Sequence, residues 1–315
     1  MKNGWKELVL AIVLAWGIPW VVMAAAEVIL EKETATQQPA AETEQTQPPV
    51  GQTIALWNGE SLQEVLLNDY LTGVLLCEIP GDFHVEAKKA QAVVARTYAL
   101  RRLDGNSKHP GAVCTDSSCC QGYLDPAVYE DKHAVEEAKM VVEATDGEVL
   151  TYDGELIDAT YFSCSGGMTE DAVAVWGSDV PYLQSVSSPG EEIAAHYTDT
   201  VFFSKAQLET LLGVKLSGQK YVGATAYTEG GGVASVTIGG QTFRGTDLRT
   251  LLGLRSTAFT MDVTEEGILF TTKGYGHRVG MSQYGAQAMA LSGSRYGQIL
   301  GHYYRGTLLT NWEAK

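Results

Sequence analysis

The chain has 315 residues and a formal net charge of −16, with a pI of about 4.8. This length is enough for one large domain or two modest ones. A chain this acidic is not expected to bind nucleic acid, and it is poorly suited to anionic lipid head groups. No internal repeat is apparent in the sequence.

The first segment predicts a membrane anchor. Residues 8–26 are uncharged and almost wholly apolar, a run long enough for a transmembrane helix. Lys2 and Lys6 precede it and acidic residues follow it, so the positive-inside bias places residues 1–7 in the cytoplasm and the bulk of the chain outside. A signal peptide cleaved near residues 24–26 is the alternative, but the apolar run is longer than the usual signal-peptide core, which favours the anchor.

Residues 27–52 predict a linker. They are rich in Gln, Thr, Glu, Ala and Pro and contain few large apolar side chains. Such a segment buries too little surface to offset its ordering entropy, so we expect it to be disordered. The folded domain is then residues 53–315, in which helical and strand-like patterns alternate in the manner of an α+β protein.

A predicted helix over residues 61–79 places a carboxylate on its core-facing stripe. Ser61 and Glu64 form a capping-box pattern at its start, and Pro80 requires the helix to end near Ile79. Glu78 therefore lies at the negative end of the helix dipole, where burial and the dipole both raise the pKa of a carboxyl group. Such a group suits general acid catalysis. The alternative is an ordinary half-exposed glutamate at a helix end.

A second helix is predicted over residues 85–103, with Asp82 as its N-cap. Glu86 lies in its first turn, where the dipole stabilises the anion, so it is a weaker candidate acid than Glu78. Arg96 lies in an apolar run at the middle of this helix. It is predicted either to orient the catalytic carboxylate or a substrate acetamide, or to lie on a solvated face.

The loop after this helix carries a predicted zinc site. His109, Cys114, Cys119 and Cys120 are close in sequence, and thiolates with imidazole suit tetrahedral Zn²⁺. With all four positions filled by protein, the zinc would be structural, and His133 is a substitute fourth ligand. The alternative outside the cell is a disulfide such as Cys114–Cys120. The chain has five cysteines, so at least one cannot be in an intramolecular disulfide.

The rest of the chain predicts a mixture of helices and hairpins. Helices are expected over residues 127–144, 205–213, 247–253, 281–291 and 299–304. Hairpins are expected over residues 148–161, around Asp153-Gly154, and over residues 233–244. Residues 194–265 differ in texture and are either an inserted α/β module or part of one continuous domain.

Four ordered blocks of sequence resemble the stage II sporulation protein D family, over about residues 53–309. They are residues 70–80 (YLTGVLLCEIP), 86–99, 161–167 (YFSCSGG) and 274–286 (GYGHRVGMSQYGA). The resemblance implies a lytic transglycosylase domain with a large substrate groove. It implies that Glu78 is the single acid and base, leaving 1,6-anhydro ends on N-acetylmuramic acid (MurNAc). Arg96 is implied to assist it.

Further site residues are expected from these blocks. Hydroxyls and backbone N–H groups around Ser-Gly-Gly suit sugar hydroxyls and acetamides, and Tyr275, Tyr284 and Trp176 offer flat faces for sugar rings. The predicted substrate-binding residues are Tyr98, Tyr161, Ser163, Ser165, Tyr275, His277, Ser282 and Gln283. A nucleophilic Cys164 with His277 as its base is a minor alternative to a small buried cysteine. Members of the family often carry Gly at Arg278, and some carry His at Cys119.

The resemblance also implies a biological setting. The substrate would be peptidoglycan glycan strands stripped of stem peptides by a partner N-acetylmuramoyl-L-alanine amidase during engulfment. The expected location is the mother-cell membrane, with the catalytic domain facing the forespore. A non-catalytic wall-binding or amidase-enhancing protein is the second hypothesis, and a zinc hydrolase is the third.

Overall fold

The computed structural model describes residues 51–103, 109, 111–218 and 220–312. Within these ranges no helix is both long and apolar enough to cross a membrane. The predicted anchor over residues 8–26 and almost all of the predicted linker lie outside the described residues, so both stay predictions. The described part mixes helices with mainly antiparallel sheets, which confirms the α+β class.

One helix forms the centre of the main core. Helix α2 (Val85–Leu103) has the predicted bounds, and its alanines are fully buried. Small side chains let neighbouring elements approach closely. Four helices pack on it: α1 (Leu67–Glu78), α3 (Lys132–Glu143), α7 (Gln283–Leu291) and α8 (Tyr296–Tyr303). The predicted helices over residues 281–291 and 299–304 are therefore present with shifted starts.

The predicted start of the first helix is wrong. Strands β1 (Thr53–Trp57) and β2 (Leu62–Leu66) pair antiparallel, and the helix begins only at Leu67. The Glu64 side chain accepts a hydrogen bond from Thr53 Oγ1 at 2.6 Å instead of capping a helix. Strand β3 (Ala112–Cys114) completes this sheet, parallel to β1.

Two other helix starts also differ from expectation. His84, not Asp82, precedes α2, and its Nδ1 accepts the backbone N–H of Glu86 at 3.2 Å. Helix α3 begins at Lys132 because Asp131 caps it, accepting two backbone N–H groups of the first turn.

The hairpin predicted over residues 148–161 is only partly present. Asp153 and Gly154 form its turn with φ of 51° and 82°. Strand β4 (Glu148–Tyr152) pairs with β5 (Glu155–Leu156) and with β14 (Leu308–Asn311). Strand β6 (Tyr161–Phe162) instead pairs parallel with β13 (Met281–Ser282). This pairing brings two of the sequence blocks side by side. The short helix α4 (Ala172–Trp176) and a 3₁₀ turn (Glu191–Ile193) follow β6.

Residues 198–273 have a hydrophobic core of their own, which we call the second core. Two three-stranded antiparallel sheets enclose it with two helices. The elements are β7 (Thr198–Ser204), α5 (Lys205–Leu212), β8 (Val222–Tyr227), β9 (Val233–Ile238), β10 (Gln241–Arg244), α6 (Gly245–Leu252), β11 (Phe259–Val263) and β12 (Gly267–Lys273). The predicted hairpin β9–β10 is confirmed.

This part of the chain contains a strand–helix repeat that the sequence analysis missed. Strand β7 leads into α5 and Gly213, and β10 leads into α6 and Gly253. The helices carry the segments LETLLG and LRTLLG, and both terminal glycines are left-handed, with φ of 68° and 63°. Glycine tolerates this conformation at helix ends without strain.

Candidate active site

The end of helix α1 positions the candidate acid. Glu78 is the last helical residue, and Ile79 is extended, with φ −125° and ψ 133°. The following Pro80 disfavours helical backbone at Ile79, so the helix stops there. The Glu78 side chain is half-buried at the negative end of α1.

Three neighbours hold Glu78. The backbone N–H of Gly122 donates to Oε1 at 2.6 Å, and the Gln283 amide donates to the Glu78 main-chain carbonyl at 2.9 Å. Burial raises the pKa of Glu78, while hydrogen bonds from Gly122, Tyr161 and Gln283 lower it, and burial prevails. The predicted direction is therefore confirmed, and the carboxyl group holds its proton to higher pH than an exposed glutamate.

Glu78 opens onto a cavity of about 520 Å³, which we call the groove. Its described lining is aromatic and polar: Glu78, Tyr98, Arg102, Ser117, Ser118, Cys119, Cys120, Thr160, Tyr161, Phe162, Ser163, Trp176, Tyr275, Gly276, His277 and Gln283. Among these residues Glu78 is the only carboxylate. Six of the eight predicted substrate-binding residues line the groove, and Ser165 and Ser282 do not.

The lining residues are tied to one another. The Tyr161 hydroxyl donates to Gln121 Oε1 at 3.2 Å, which fixes it near Glu78. The Arg102 guanidinium lies 4.5 Å from the centre of the Tyr98 ring. Trp176 and Tyr275 are 46% and 47% exposed, so their faces are available to a ligand.

His277 is neutral in this setting. Burial, followed by the charge of Arg249, lowers its pKa to about 4. Its Nδ1 accepts the Val279 backbone N–H at 3.2 Å, and its ring packs against Phe162 and Trp176. The imidazole therefore shapes the groove wall and carries no positive charge near pH 7.

The Ser-Gly-Gly loop is predicted to bind sugars, but in the structure an internal carboxylate occupies it instead. The buried carboxylate of Glu191 accepts hydrogen bonds at 2.8 Å from the Ser165 backbone, the Ser165 hydroxyl and the Gly166 backbone. Ser165 is fully buried by this arrangement. The loop thus binds an internal anion, contributed by a glutamate that sequence reasoning did not single out.

Two further predictions are corrected around this loop. The Cys164 thiol donates to Glu191 Oε2 at 3.3 Å, and burial and that carboxylate raise its pKa to about 12, so it is not a nucleophile paired with His277. Ser282 is the N-cap of α7, and its hydroxyl accepts the Gly285 backbone N–H at 3.1 Å. Both residues stabilise the fold around the groove.

Arg96 is neither exposed nor directed at Glu78, so both predictions for it are wrong. It is fully buried, and its terminal nitrogens donate to the main-chain carbonyls of Thr145 at 2.6 Å, Val142 at 3.1 Å and Glu148 at 3.2 Å. These carbonyls lie at and after the end of α3, where a cation is favoured. Arg96 therefore joins α2 to the turn between α3 and β4.

His196 is a groove-side residue that the sequence analysis missed. Its Nε2 lies 2.9 Å from Ser163 Oγ, and its ring packs edge-on against Tyr275 and Tyr284. No local motif marks it, because it lies just before β7, outside the four sequence blocks, and reaches the groove only through the fold.

Comparison with known proteins identifies the family of this chain. The family model described as Stage II sporulation protein matches residues 58–152. Stage II sporulation protein D of Bacillus subtilis (strain 168) is 37% identical over 303 residues, covering 92% of this chain and 88% of the relative. The chain belongs to the stage II sporulation protein D family. The protein of that name from Bacillus amyloliquefaciens is 36% identical over 321 residues, covering 97% and 93%.

A second kind of relative is also similar. The amidase enhancer of Bacillus subtilis (strain 168) is 30% identical over 300 residues, which cover 77% of this chain and 40% of that protein. Stage II sporulation protein D and the amidase enhancer thus both resemble most of this chain, although the chain covers less than half of the amidase enhancer.

Three of the four predicted zinc ligands lie together. The ligand atoms of His109, Cys114 and Cys119 are within 4.8 Å of one another, a spacing that fits one tetrahedral ion. Cys120 is outside this group, with a buried thiol that contacts Cys114. His133 is in the first turn of α3 and is not among them. All five cysteines are free, so the alternative Cys114–Cys120 disulfide is not formed.

Arg278 has a left-handed backbone, with φ of 69°. Its buried guanidinium pairs with Glu170 at 2.8 Å and donates to the main-chain carbonyls of Ser165 and Gly230. These contacts offset the cost of that backbone conformation. They also join the loop beside the groove to residues 198–273, which contain the second core.

Proposed function

We propose that this protein is a lytic transglycosylase that cleaves the bond between MurNAc and N-acetylglucosamine in peptide-stripped peptidoglycan strands. The observation that carries this proposal is that Glu78 is the single carboxylate among the described residues that line the groove, beside tyrosines, a tryptophan and hydroxyls. Hydrolases that use water at a glycosidic bond generally need two carboxylates. A transglycosylase needs only one.

In the proposed reaction Glu78 acts twice. Its protonated carboxyl donates to the glycosidic oxygen, the bond to C1 breaks, and positive charge develops on the MurNAc ring. The resulting carboxylate takes the proton of the C6 hydroxyl of the same sugar as that oxygen closes on C1. The enzyme returns to its protonated form, no water is consumed, and the product has a 1,6-anhydro end.

The surroundings of Glu78 suit both steps. Burial favours the protonated form that begins the reaction, while the Gly122 N–H, at 2.6 Å from Oε1, stabilises the carboxylate that forms in the middle. Because these two effects oppose each other, the same carboxyl group can first donate a proton and then accept one. The exposed faces of Trp176 and Tyr275 supply stacking surfaces for sugar rings.

The proposed setting is sporulation, at the mother-cell membrane during engulfment. The names of the Bacillus relatives support the sporulation role. The predicted anchor over residues 8–26 would hold the domain outside the cytoplasm. An amidase that strips the stem peptides is the proposed partner, and the similarity to a protein named amidase enhancer supports this link. That similarity also makes a non-catalytic amidase enhancer the second candidate function.

We further propose that His109, Cys114 and Cys119 hold a structural zinc ion, and the remaining predicted ligand, Cys120, contacts Cys114 beside this group. The loop that carries these residues runs directly into Gly122, so fixing it also fixes the donor to Glu78. Elemental analysis should find one equivalent of bound zinc in the wild type and less in Cys114→Ser. The zinc-bound protein should also melt at a higher temperature than protein treated with a chelator. Protein that folds fully with no zinc after purification in zinc-containing buffer would overturn this assignment.

The test of the function is Glu78→Gln, assayed on purified stripped glycan strands. We expect the wild type to release 1,6-anhydro ends and Glu78→Gln to lose at least 10²-fold in rate, the effect expected of a general acid. Glu86→Gln is the control for the rival acid and should stay active per folded molecule. If the wild type releases no anhydro ends but accelerates an amidase, the second function is correct.

A further inference from the structure

One arginine beside the groove has no carboxylate partner among the described residues. Arg249 lies in the last turn of α6, half-buried, and its Nε donates to the Arg255 main-chain carbonyl at 3.3 Å. Within the described residues no ion pair involves Arg249, and no carboxylate contributes to its pKa, which burial lowers.

Arg249 is close to the groove wall. The charge of Arg249 is one of the causes that lower the pKa of His277. In turn, Tyr275 raises the pKa of Arg249, against the larger effect of burial. The backbone N–H of Gly276, a groove residue, donates at 3.0 Å to the same Arg255 carbonyl that receives the Arg249 Nε. A shared acceptor therefore ties the guanidinium to the loop that carries Tyr275 and His277.

The neighbouring Arg255 differs in this respect. Its guanidinium lies 5.8 Å from the centre of the Tyr275 ring and pairs with Asp199 at 3.3 Å. The charge of Arg255 is therefore balanced on the spot. Of these two arginines, Arg249 is the one without a carboxylate partner among the described residues.

The strand–helix repeat carries opposite charges at the position of Arg249. In the first copy of the strand–helix repeat the matching residue is Glu209, whose Oε1 accepts the Leu216 backbone N–H at 2.8 Å. The dipole of α6 favours a cation in its last turn, but only by about 0.3–1 kcal/mol. Partial burial of an unpaired charge, in contrast, destabilises the folded protein. A bound anion would pair with the charge of Arg249 and offset this cost of burial.

We propose that Arg249 binds the lactyl carboxylate of a MurNAc residue whose stem peptide has been removed. This proposal rests on the proposed function. While the peptide is attached, the lactyl group is a neutral amide. Hydrolysis of that amide adds water and gives a free carboxylate on the sugar and an amine on the peptide. A planar guanidinium pairs well with a carboxylate, so Arg249 recognises the charge that stripping creates.

The test uses the full chain and two forms of stripped glycan. One form has free lactyl carboxylates, and in the other these are converted to primary amides. We expect the wild type to show a KM about tenfold lower for the carboxylate form, with kcat little changed. Arg249→Gln should lose this discrimination by raising KM for the carboxylate form alone. Arg244→Gln removes the same charge from an exposed position just before α6 and should behave as wild type.

A binding measurement separates this proposal from the proposed function. In the Glu78→Gln background, the carboxylate form should bind about tenfold more tightly than the amide form, with a preference that weakens as salt rises. Adding Arg249→Gln should abolish that preference. If the wild type makes no anhydro ends but this preference exists and depends on Arg249, the function fails and the anion site stands. If Arg249→Gln affects both glycans equally, or neither, the anion site is wrong.

Discussion

Gly122→Ala should impair catalysis while leaving the fold nearly unchanged. A Cβ at Gly122 would lie 2.7 Å from Cys77 Sγ and 2.9 Å from Glu78 Oε1. Both atoms are the ends of side chains that can move, and the Gly122 backbone is not in the left-handed region. The added methyl group therefore displaces the carboxyl group rather than the backbone.

The size of the effect follows from these distances. The Glu78 oxygen must retreat by roughly half an ångström to reach an ordinary van der Waals separation. This weakens the 2.6 Å hydrogen bond from the Gly122 N–H and moves the proton away from the glycosidic oxygen. Because misplacement by about 1 Å costs about 10²-fold in rate, we expect kcat to fall by about tenfold or more. The pKa of Glu78 should rise further, since this hydrogen bond lowers it.

The assay is the rate of anhydro-end formation from stripped glycan across a pH series, beside thermal unfolding of the same samples. Gly81→Ala is the matched control, because a Cβ there meets nothing within 4 Å. The control should keep wild-type activity. Full activity in Gly122→Ala would refute the view that this N–H positions the catalytic carboxyl group.

Three further results are expected. Because burial raises the pKa of Glu78, ionisation of this group costs stability as the pH rises through that pKa. Glu78→Gln should therefore unfold at a higher temperature than wild type at pH 7, and this difference in melting temperature should disappear below the ordinary carboxylate pKa. A difference that persists in acid would contradict this. Arg96→Met should lower the free energy of unfolding by about 3 kcal/mol or more, seen in denaturant titration, because it leaves buried carbonyls without a donor; a stable variant with reduced kcat would restore a catalytic role for Arg96. Glu191→Gln should destabilise by about 2–4 kcal/mol, since an amide group then faces donors that need an acceptor, and unchanged melting would show that the Ser-Gly-Gly loop does not depend on that carboxylate.

Local sequence signals predicted the helices well where the signal and the fold agree. The bounds of α2, the hairpin β9–β10 and the end of α1 before Pro80 all follow from propensity and turn chemistry. The position and environment of Glu78 were predictable for the same reason. Its dependence on Gly122 was not, because Gly122 comes from a loop far along the chain.

The misses come from non-local contacts. Residues 62–66 carry a helix-start pattern, but pairing with β1 makes them a strand. The partners of Arg96 belong to the end of another helix, so no local pattern marks Arg96 as structural. Glu191 and His196 lie outside the recognised blocks and reach the site through tertiary packing.

The central claim is that one carboxyl group, Glu78, performs the whole reaction without water. Digestion of stripped glycan strands in H₂¹⁸O, followed by mass spectrometry of the new ends, tests it directly. The expected product carries no ¹⁸O and is lighter by one water than a hydrolysis product. Incorporation of ¹⁸O at the new reducing end would contradict the claim and identify a hydrolase.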